Sequence, residues 1–287
     1  RYVRLVAFDH SGRYVASSSY DDTIRLWDVT TGHLLNVVSR SSGNTMEWLA
    51  FHPSQALLAY TDTSNRIYLW DVEMERTVVD IATASQPKML AFSPDGRYLA
   101  CGAYDGSVTL WELVPDGSCI TLVEHSRMQP SAQSAWALVF SQNSSLLAWN
   151  GEQREIYVTS VMDGEALCSI AGTHLADCIA VSADGRHLIT DGPEFNVFLY
   201  DALTGEASKV LAGHTANLTA IVASPVSSTM ASSDAAGVVK LWDGTSGTVL
   251  ATTHLNGPYR GMNITGATGV THGQRQSLLA LGAVVDS

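Results

Sequence analysis

Apolar residues fall in short runs along this chain, and nearly every run stops at a polar turn carrying Gly, Pro or Ser. A first set of runs reads "VRLVAF", "EWLAF", "KMLAF", "WALVF", "CIAV" and "LTAIV", and the segments that follow them read "DHSGR", "HPSQA", "SPDGR", "SQNSS", "SADGR" and "SPVSS". A second run comes next, "YLACGA" in the third unit, and a polar turn leads into a third run that alternates apolar and polar positions. A weaker fourth run closes each unit, as in "HLLNVV", "RTVVDI" and "EASKVL". Short β-branched and aromatic segments spaced by turn residues predict antiparallel strands joined by tight connections.

The third runs fix a period. They are "TIRLWD", "RIYLWD", "SVTLWE", "NVFLYD" and "VVKLWD", with "EIYVTS" keeping the alternation but losing the aromatic. Trp27, Trp70, Trp111, Thr159, Tyr200 and Trp242 mark one position, at successive intervals of 43, 41, 48, 41 and 42 residues. Four strands in a unit of about forty residues is the arithmetic of a propeller blade. The expected fold class is therefore all-β, with six recognisable four-stranded blades.

With its period, its "SPDGRYLA" segment and its terminal "LWD", the sequence resembles the WD-repeat β-propellers from Val3 to about Thr252. The resemblance implies blades at about 3–38, 46–81, 87–123, 135–170, 176–211 and 217–252, in a propeller over 1–253. Blades cover one another on both faces, which accounts for continuously apolar runs such as "LLAY" and "YLAC". The resemblance also implies a hydrogen-bonded set of Trp, Ser or Thr, Asp and His in each blade. Carried over, Trp27 with Asp21 and Trp111 with Asp105 supply two members each. His214, Ser232 and Trp242 supply three, with Ala236 where the Asp belongs. His174 is the candidate partner of Tyr200. Around Trp70 and in the fourth unit, Ser64 and Gln153 stand at the Asp position, so those blades are expected to rely on packing.

The remainder, 254–287, has two readings: a degenerate seventh blade with "GMNIT" and "LLALGAVV" as strands, or a short helix, "QRQSLLALGA", opened by a capping box at Thr271. The tail also resembles a segment that ends some large signalling NTPases of the STAND type. The first residue is Arg1, and no strand is left over to close the ring, so residues upstream of Arg1 are expected in the native polypeptide.

Composition narrows the functional classes. Hydrophobic residues make up 46% of the 287 and charged residues 15%, which suits a packed globular protein. The formal net charge is −12, with 28 Asp and Glu against 16 Lys and Arg. That excess argues against nucleic acid and anionic membrane as partners, because both are bound through Lys and Arg. Cys101, Cys119, Cys168 and Cys178 form no CxxC pair, and no apolar run is long enough to span a bilayer, so a cytoplasmic protein is expected. There is no phosphate loop, HExxH, GxSxG or zinc spacing. Asp28, Asp71, Glu112, Asp201 and Asp243 recur at strand ends on separate blades and cannot converge as an acid–base pair. No catalytic residue, metal site, cofactor or small-molecule substrate is expected.

What is left is surface. In the resembling family, residues just inside each first strand and just before the Asp of the second turn point to one rim. These are Arg4, Glu47, Lys88, Trp136, Asp177 and Thr219, with Tyr20 and Tyr104. Exposed aromatics there are candidate anchors for a protein or peptide partner. The expected function is a non-catalytic interaction or sensor module, part of a larger signalling NTPase or, alternatively, a stand-alone scaffold subunit.

Overall fold

The computed structural model describes residues 2–39, 46–117, 119–129, 134–135, 137–151, 155–171, 178–254 and 265. The side chains of Ser39, Glu47 and Cys119 lie outside that description. The described chain forms six four-stranded antiparallel sheets, each with its strands in chain order. They span 3–39, 46–82, 87–128, 137–170, 179–211 and 218–254. First strands of successive blades lie against one another, so the first strand is innermost and the fourth outermost.

The core is divided among the blade junctions. Leu26 and Ile24 meet Leu58 and Trp70 between blades one and two. Leu69 and Ile67 meet Leu99 and Cys101 at the next junction, and Leu110 and Tyr98 meet Leu147 and Trp149 at the third. Ala148 and Val158 then meet Leu188, and Leu199 meets Met230 and Trp242. Middle strands are covered on both faces. Every residue of Leu57–Asp62 and of Tyr98–Ala103 is buried, which explains why their sequences do not alternate.

Alternation survives where one face is open. In blade one, Val6 and Phe8 are 58% and 62% exposed while their neighbours Leu5 and Ala7 pack towards blade two. In blade six, Val222 and Leu241 are exposed while Ile221 and Trp242 pack towards blade five.

The long interval between Trp111 and Thr159 has a definite cause. "HSRM", residues 125–128, lengthens the fourth strand of blade three. The outer hairpin of blade three pairs Val108–Asp116 with Cys119–Met128, from Val108↔Met128 to Asp116↔Cys119. Its tip turns at Gly117, whose φ of +62° favours glycine. The His125 ring Nε2 lies 3.1 and 3.0 Å from the carbonyls of Val161 and Met162, so the extended strand meets the next blade. The tail expectations, helix or seventh blade, fall outside the described residues apart from Thr265, as do His174 and Gln153.

Candidate interaction surface

One end of the propeller carries the first-strand entries and the turns between second and third strands. In blade one, the Tyr20 N–H donates to the Tyr2 carbonyl at 3.2 Å, which places the side chain of Tyr20 beside the first strand. The Arg4 guanidinium lies over its ring at 5.8 Å and also donates to the Met46 carbonyl of blade two at 3.2 Å. Blade three repeats the arrangement. The Tyr104 N–H donates to the Gln86 carbonyl at 3.0 Å, and Lys88 Nζ lies 5.3 Å over the Tyr104 ring while donating to Ser134 Oγ at 2.9 Å.

Both tyrosines remain open to solvent, Tyr20 at 52% and Tyr104 at 43%. A cation over an exposed ring contributes about 0.5–1 kcal/mol and restrains the ring before any partner arrives. Each tyrosine is followed by an acid tied into its own turn. Asp21 accepts from Thr23 Oγ1 and pairs with Arg25 at 3.1 Å; Asp105 accepts from Ser107 Oγ, with Arg127 at 3.9 Å. The Thr23 hydroxyl holds the Asp21 carboxyl below the usual carboxylate range, and Arg25 adds to the effect. Burial alone would raise Asp105, but the bonds from Ser107 and the charge of Arg127 bring it down. Both acids therefore carry charge on this rim at neutral pH.

Of the other rim candidates, Thr219 is exposed and shares a 2.9 Å hydrogen bond with Ser233. Glu47 sits in the strand Met46–Phe51, its side chain outside the description, and Trp136 and Asp177 lie outside it entirely.

The repeat residues divide by blade. Trp27 Nε1–H donates to Ser17 Oγ at 3.0 Å, while Asp21 stays in its turn, so blade one links Trp to Ser without the Asp. Trp111 Nε1 is buried with no partner among the described residues, and Cys101 stands where blade one has Ser17. Trp70 is buried at the blade one–two junction. Tyr200 stacks on Phe198 with ring centroids 6.1 Å apart, and burial raises its hydroxyl pKa.

Blade six departs from expectation most. It is not short of an acid: Asp234, two residues before Ala236, supplies it. His214 Nδ1 lies 2.7 Å from Asp234 Oδ2, His214 Nε2 lies 2.7 Å from Ser232 Oγ, and Trp242 Nε1–H donates to the same oxygen at 2.8 Å. The consistent assignment is a neutral ring with its proton on Nδ1 towards the carboxylate. Ser232 then donates to Nε2 and accepts from Trp242, and every member is satisfied. Burial would raise the Asp234 carboxyl, but the bond from His214 and the N–H groups of Val238 and Ala236 hold it below its ordinary value. The Asp–His–Ser order matches that of a nucleophilic triad. Here the Asp234 and His214 side chains are fully buried and the serine is 2% exposed and claimed by Trp242, which makes the set a structural clamp.

Blades two and four likewise do not rely on packing alone. Asp62 and Asn150 occupy the buried ends of their second strands, as Asp191 does in blade five. Asp62 Oδ1 accepts from the Ser64 N–H at 2.9 Å; Asn150 Oδ1 accepts from Ala137 at 2.6 Å and Asp191 Oδ1 from Cys178 at 2.9 Å. In the last two the polar strand end pins the entry to the same blade's first strand. The signal lay in the sequence, as the polar residue closing "LLAYTD", "LLAWN", "HLITD" and "MASSD".

Against known proteins, the family model described as WD domain, G-beta repeat matches residues 1–28, 85–112 and 205–243. These are WD repeats. Similar WD-repeat sequence runs through several curated proteins. Autophagy-related protein 16 of Arabidopsis thaliana is 23% identical over 257 residues, which cover 86% of this chain and 48% of that protein. The periodic tryptophan protein 2 homolog of Schizosaccharomyces pombe is 27% identical over 202 residues, 70% of this chain and 20% of that protein. The LST8 homolog of Drosophila melanogaster is 28% identical over 152 residues, 50% of this chain and 47% of that protein. The chain thus spans less than half the length of these relatives. Among the described residues, no helix is long and apolar enough to cross a membrane, and no group of three or more His, Cys, Asp and Glu could hold a metal ion.

Proposed function

We propose that this WD-repeat propeller is a non-catalytic, cytoplasmic platform that binds a protein or peptide partner across the rim of blades one to three. The observation that carries this reading is the repeated pair of exposed tyrosines, each held under a cation, Arg4 over Tyr20 and Lys88 over Tyr104. Tyr and Arg dominate binding energy where they are restrained before contact. The flanking Asp21–Arg25 and Asp105–Arg127 pairs give the rim both signs of charge, which favours a protein partner over a polyanion such as nucleic acid. Arg4, Lys88 and the two tyrosines form its centre, with Thr219 beyond them; Glu47, Trp136 and Asp177 are assigned to it by the repeat alignment alone. Tyrosine iodination of the partner-bound and free protein tests it: Tyr20 and Tyr104 are protected in the complex, and equal labelling in both states contradicts the assignment.

The reading of this platform as the sensor region of a larger signalling NTPase rests on the resemblance of the tail 257–287. Sequencing the native polypeptide upstream of Arg1 decides between it and a stand-alone scaffold subunit.

A further inference from the structure

A blade cannot bury its apolar faces alone, and the repeat supplies its own measure of how completely its neighbours do so. The residue just before each third-strand aromatic position packs towards the next blade. Leu26, Leu69, Leu110, Val158 and Leu199 are 0–3% exposed there. Leu241, at the same position of blade six, is 40% exposed, and Val222, in register with it across Ala231, is 60% exposed. The opposite face of blade one behaves likewise. Val6 pairs with Ser17, and its counterparts Leu49, Leu90 and Ile221 pair with Tyr60, Cys101 and Ser232. Those counterparts are 4–7% exposed, against 58% for Val6. Among the described residues no strand of blade six lies against blade one as successive blades lie elsewhere. Two apolar faces, each of the kind that meets a blade at every other junction, are left open.

The chain itself leads to this junction. Each fourth strand is followed by the first strand of the next blade, so the residues after His254 set out from the outer edge of blade six where every earlier connection turns inwards. They run to Ser287, and Thr265 alone among them is described. Elsewhere a first strand is covered by the first and second strands of the blade before it, as Val3–Phe8 and Tyr14–Ser19 lie against Met46–Phe51. Such a pair with its turn takes 3–19 in blade one and 87–103 in blade three, so 255–287 is long enough to supply one. The segment also contains a matching strand sequence. "LLALGA", 278–283, repeats "YLACGA", 98–103, at four of six positions. The blade-three strand is buried throughout, with Leu99 and Cys101 packing towards blade two and Tyr98 and Ala100 towards blade four. Charge agrees with this placement: Arg260 and Arg275 against the single Asp286 make the segment net positive in a chain of net charge −12.

We propose that residues 255–287 occupy the junction between blades six and one in the place of a seventh blade, with "LLALGA" as the strand buried on both faces. Leu279 and Leu281 cover Val222 and Leu241, and Leu278 and Ala280 cover Val6 and Phe8. The ring is closed by its own chain, and the exposed faces are not a docking surface for a partner. This junction is distinct from the tyrosine rim, and its assignment does not rest on the rim.

The test is photo-crosslinking in the native polypeptide, with p-benzoylphenylalanine in place of Val6, of Val222 and, as a control, of Val123 on the outer strand of blade three. All three positions are exposed, so the replacements leave folding intact. The chain is mixed with an isotope-labelled copy before irradiation, and the products are mapped by mass spectrometry. The probes at 6 and 222 each link to residues 277–285 of the same chain, about tenfold or more above the control, as a tethered segment at high effective concentration should. Leu279→Ser with Leu281→Ser brings both links down to the control level. The proposal is overturned if the links run to a second copy or to any other segment, if they do not exceed the control, or if they persist in the double serine variant.

Discussion

Cys101→Ser should stabilise this protein, although it puts a more polar atom into a buried position. In blades one and six a serine ten residues before the tryptophan accepts the indole N–H, at 3.0 Å from Ser17 and 2.8 Å from Ser232. In blade three that place is taken by Cys101, and Trp111 Nε1 is buried with no partner among the described residues. Sulfur is a weak acceptor, and burial, with Asp105 nearby, pushes the thiol up to about 12, so no thiolate forms to take the proton at neutral pH. An unpaired buried donor costs about 1–3 kcal/mol. Serine supplies the acceptor at nearly the same volume, and exchanging thiol for hydroxyl against Leu69 and Leu99 gives back roughly 1 kcal/mol. The net expectation is a gain of about 1 kcal/mol. At a slope of about 2 kcal/mol per molar urea, the midpoint rises by roughly 0.5 M. Cys101→Ala is the control, because it removes the sulfur and adds no acceptor; its midpoint falls. The Trp111 indole proton should move downfield in the serine variant alone. If the serine variant unfolds at or below the alanine variant, the missing acceptor is not what limits blade three.

Two further predictions concern the polar clamps. Asp234→Ala leaves the buried N–H of the His214 ring without its acceptor and should cost about 1–3 kcal/mol, with Ala236→Asp unable to rescue it; thermal unfolding of the single and double variants reads this directly. His52 gives a pH dependence. Burial holds its pKa below the ordinary 6.5, and the charge of His10 acts the same way, against the opposing pull of the Gly96 carbonyl and Asp95. A ring with a lowered folded pKa gains its proton on unfolding, so stability is full above pH 6.5 and declines as the pH falls below it. Urea midpoints between pH 7.5 and 5 should fall in the native protein and fall less in His52→Gln. An unchanged slope in that variant removes His52 as the cause.

How far the sequence could be read follows from what each residue faces. An aromatic followed by an acid closes five of the six third strands, so Trp27, Trp70, Trp111, Tyr200 and Trp242 could be found by spacing alone, while the fourth, with Thr159 and Ser160 there, is found by its alternation. The exposure of Tyr20 and Tyr104 followed from their place in a turn at the rim. Asp234 was hidden by an alignment that sought its acid in the turn, at Ala236. What the fold requires is a carboxylate within reach of the His214 ring, and the strand end meets that need as well as the turn. "HSRM" carries no apolar stripe, and an outermost strand needs none when its backbone is paired with Leu110 to Val108.

The most direct test of the platform reading is quantitative capture with three forms of the protein: the native form, Tyr20→Ser with Tyr104→Ser, and Asp184→Asn on the opposite end. The substituted side chains are exposed, so folding should be unaffected. A defined set of proteins held by the native form and by Asp184→Asn, and lost from the double tyrosine variant by tenfold or more, is the predicted result. Retention of that same set by the double tyrosine variant would contradict the rim as the binding surface.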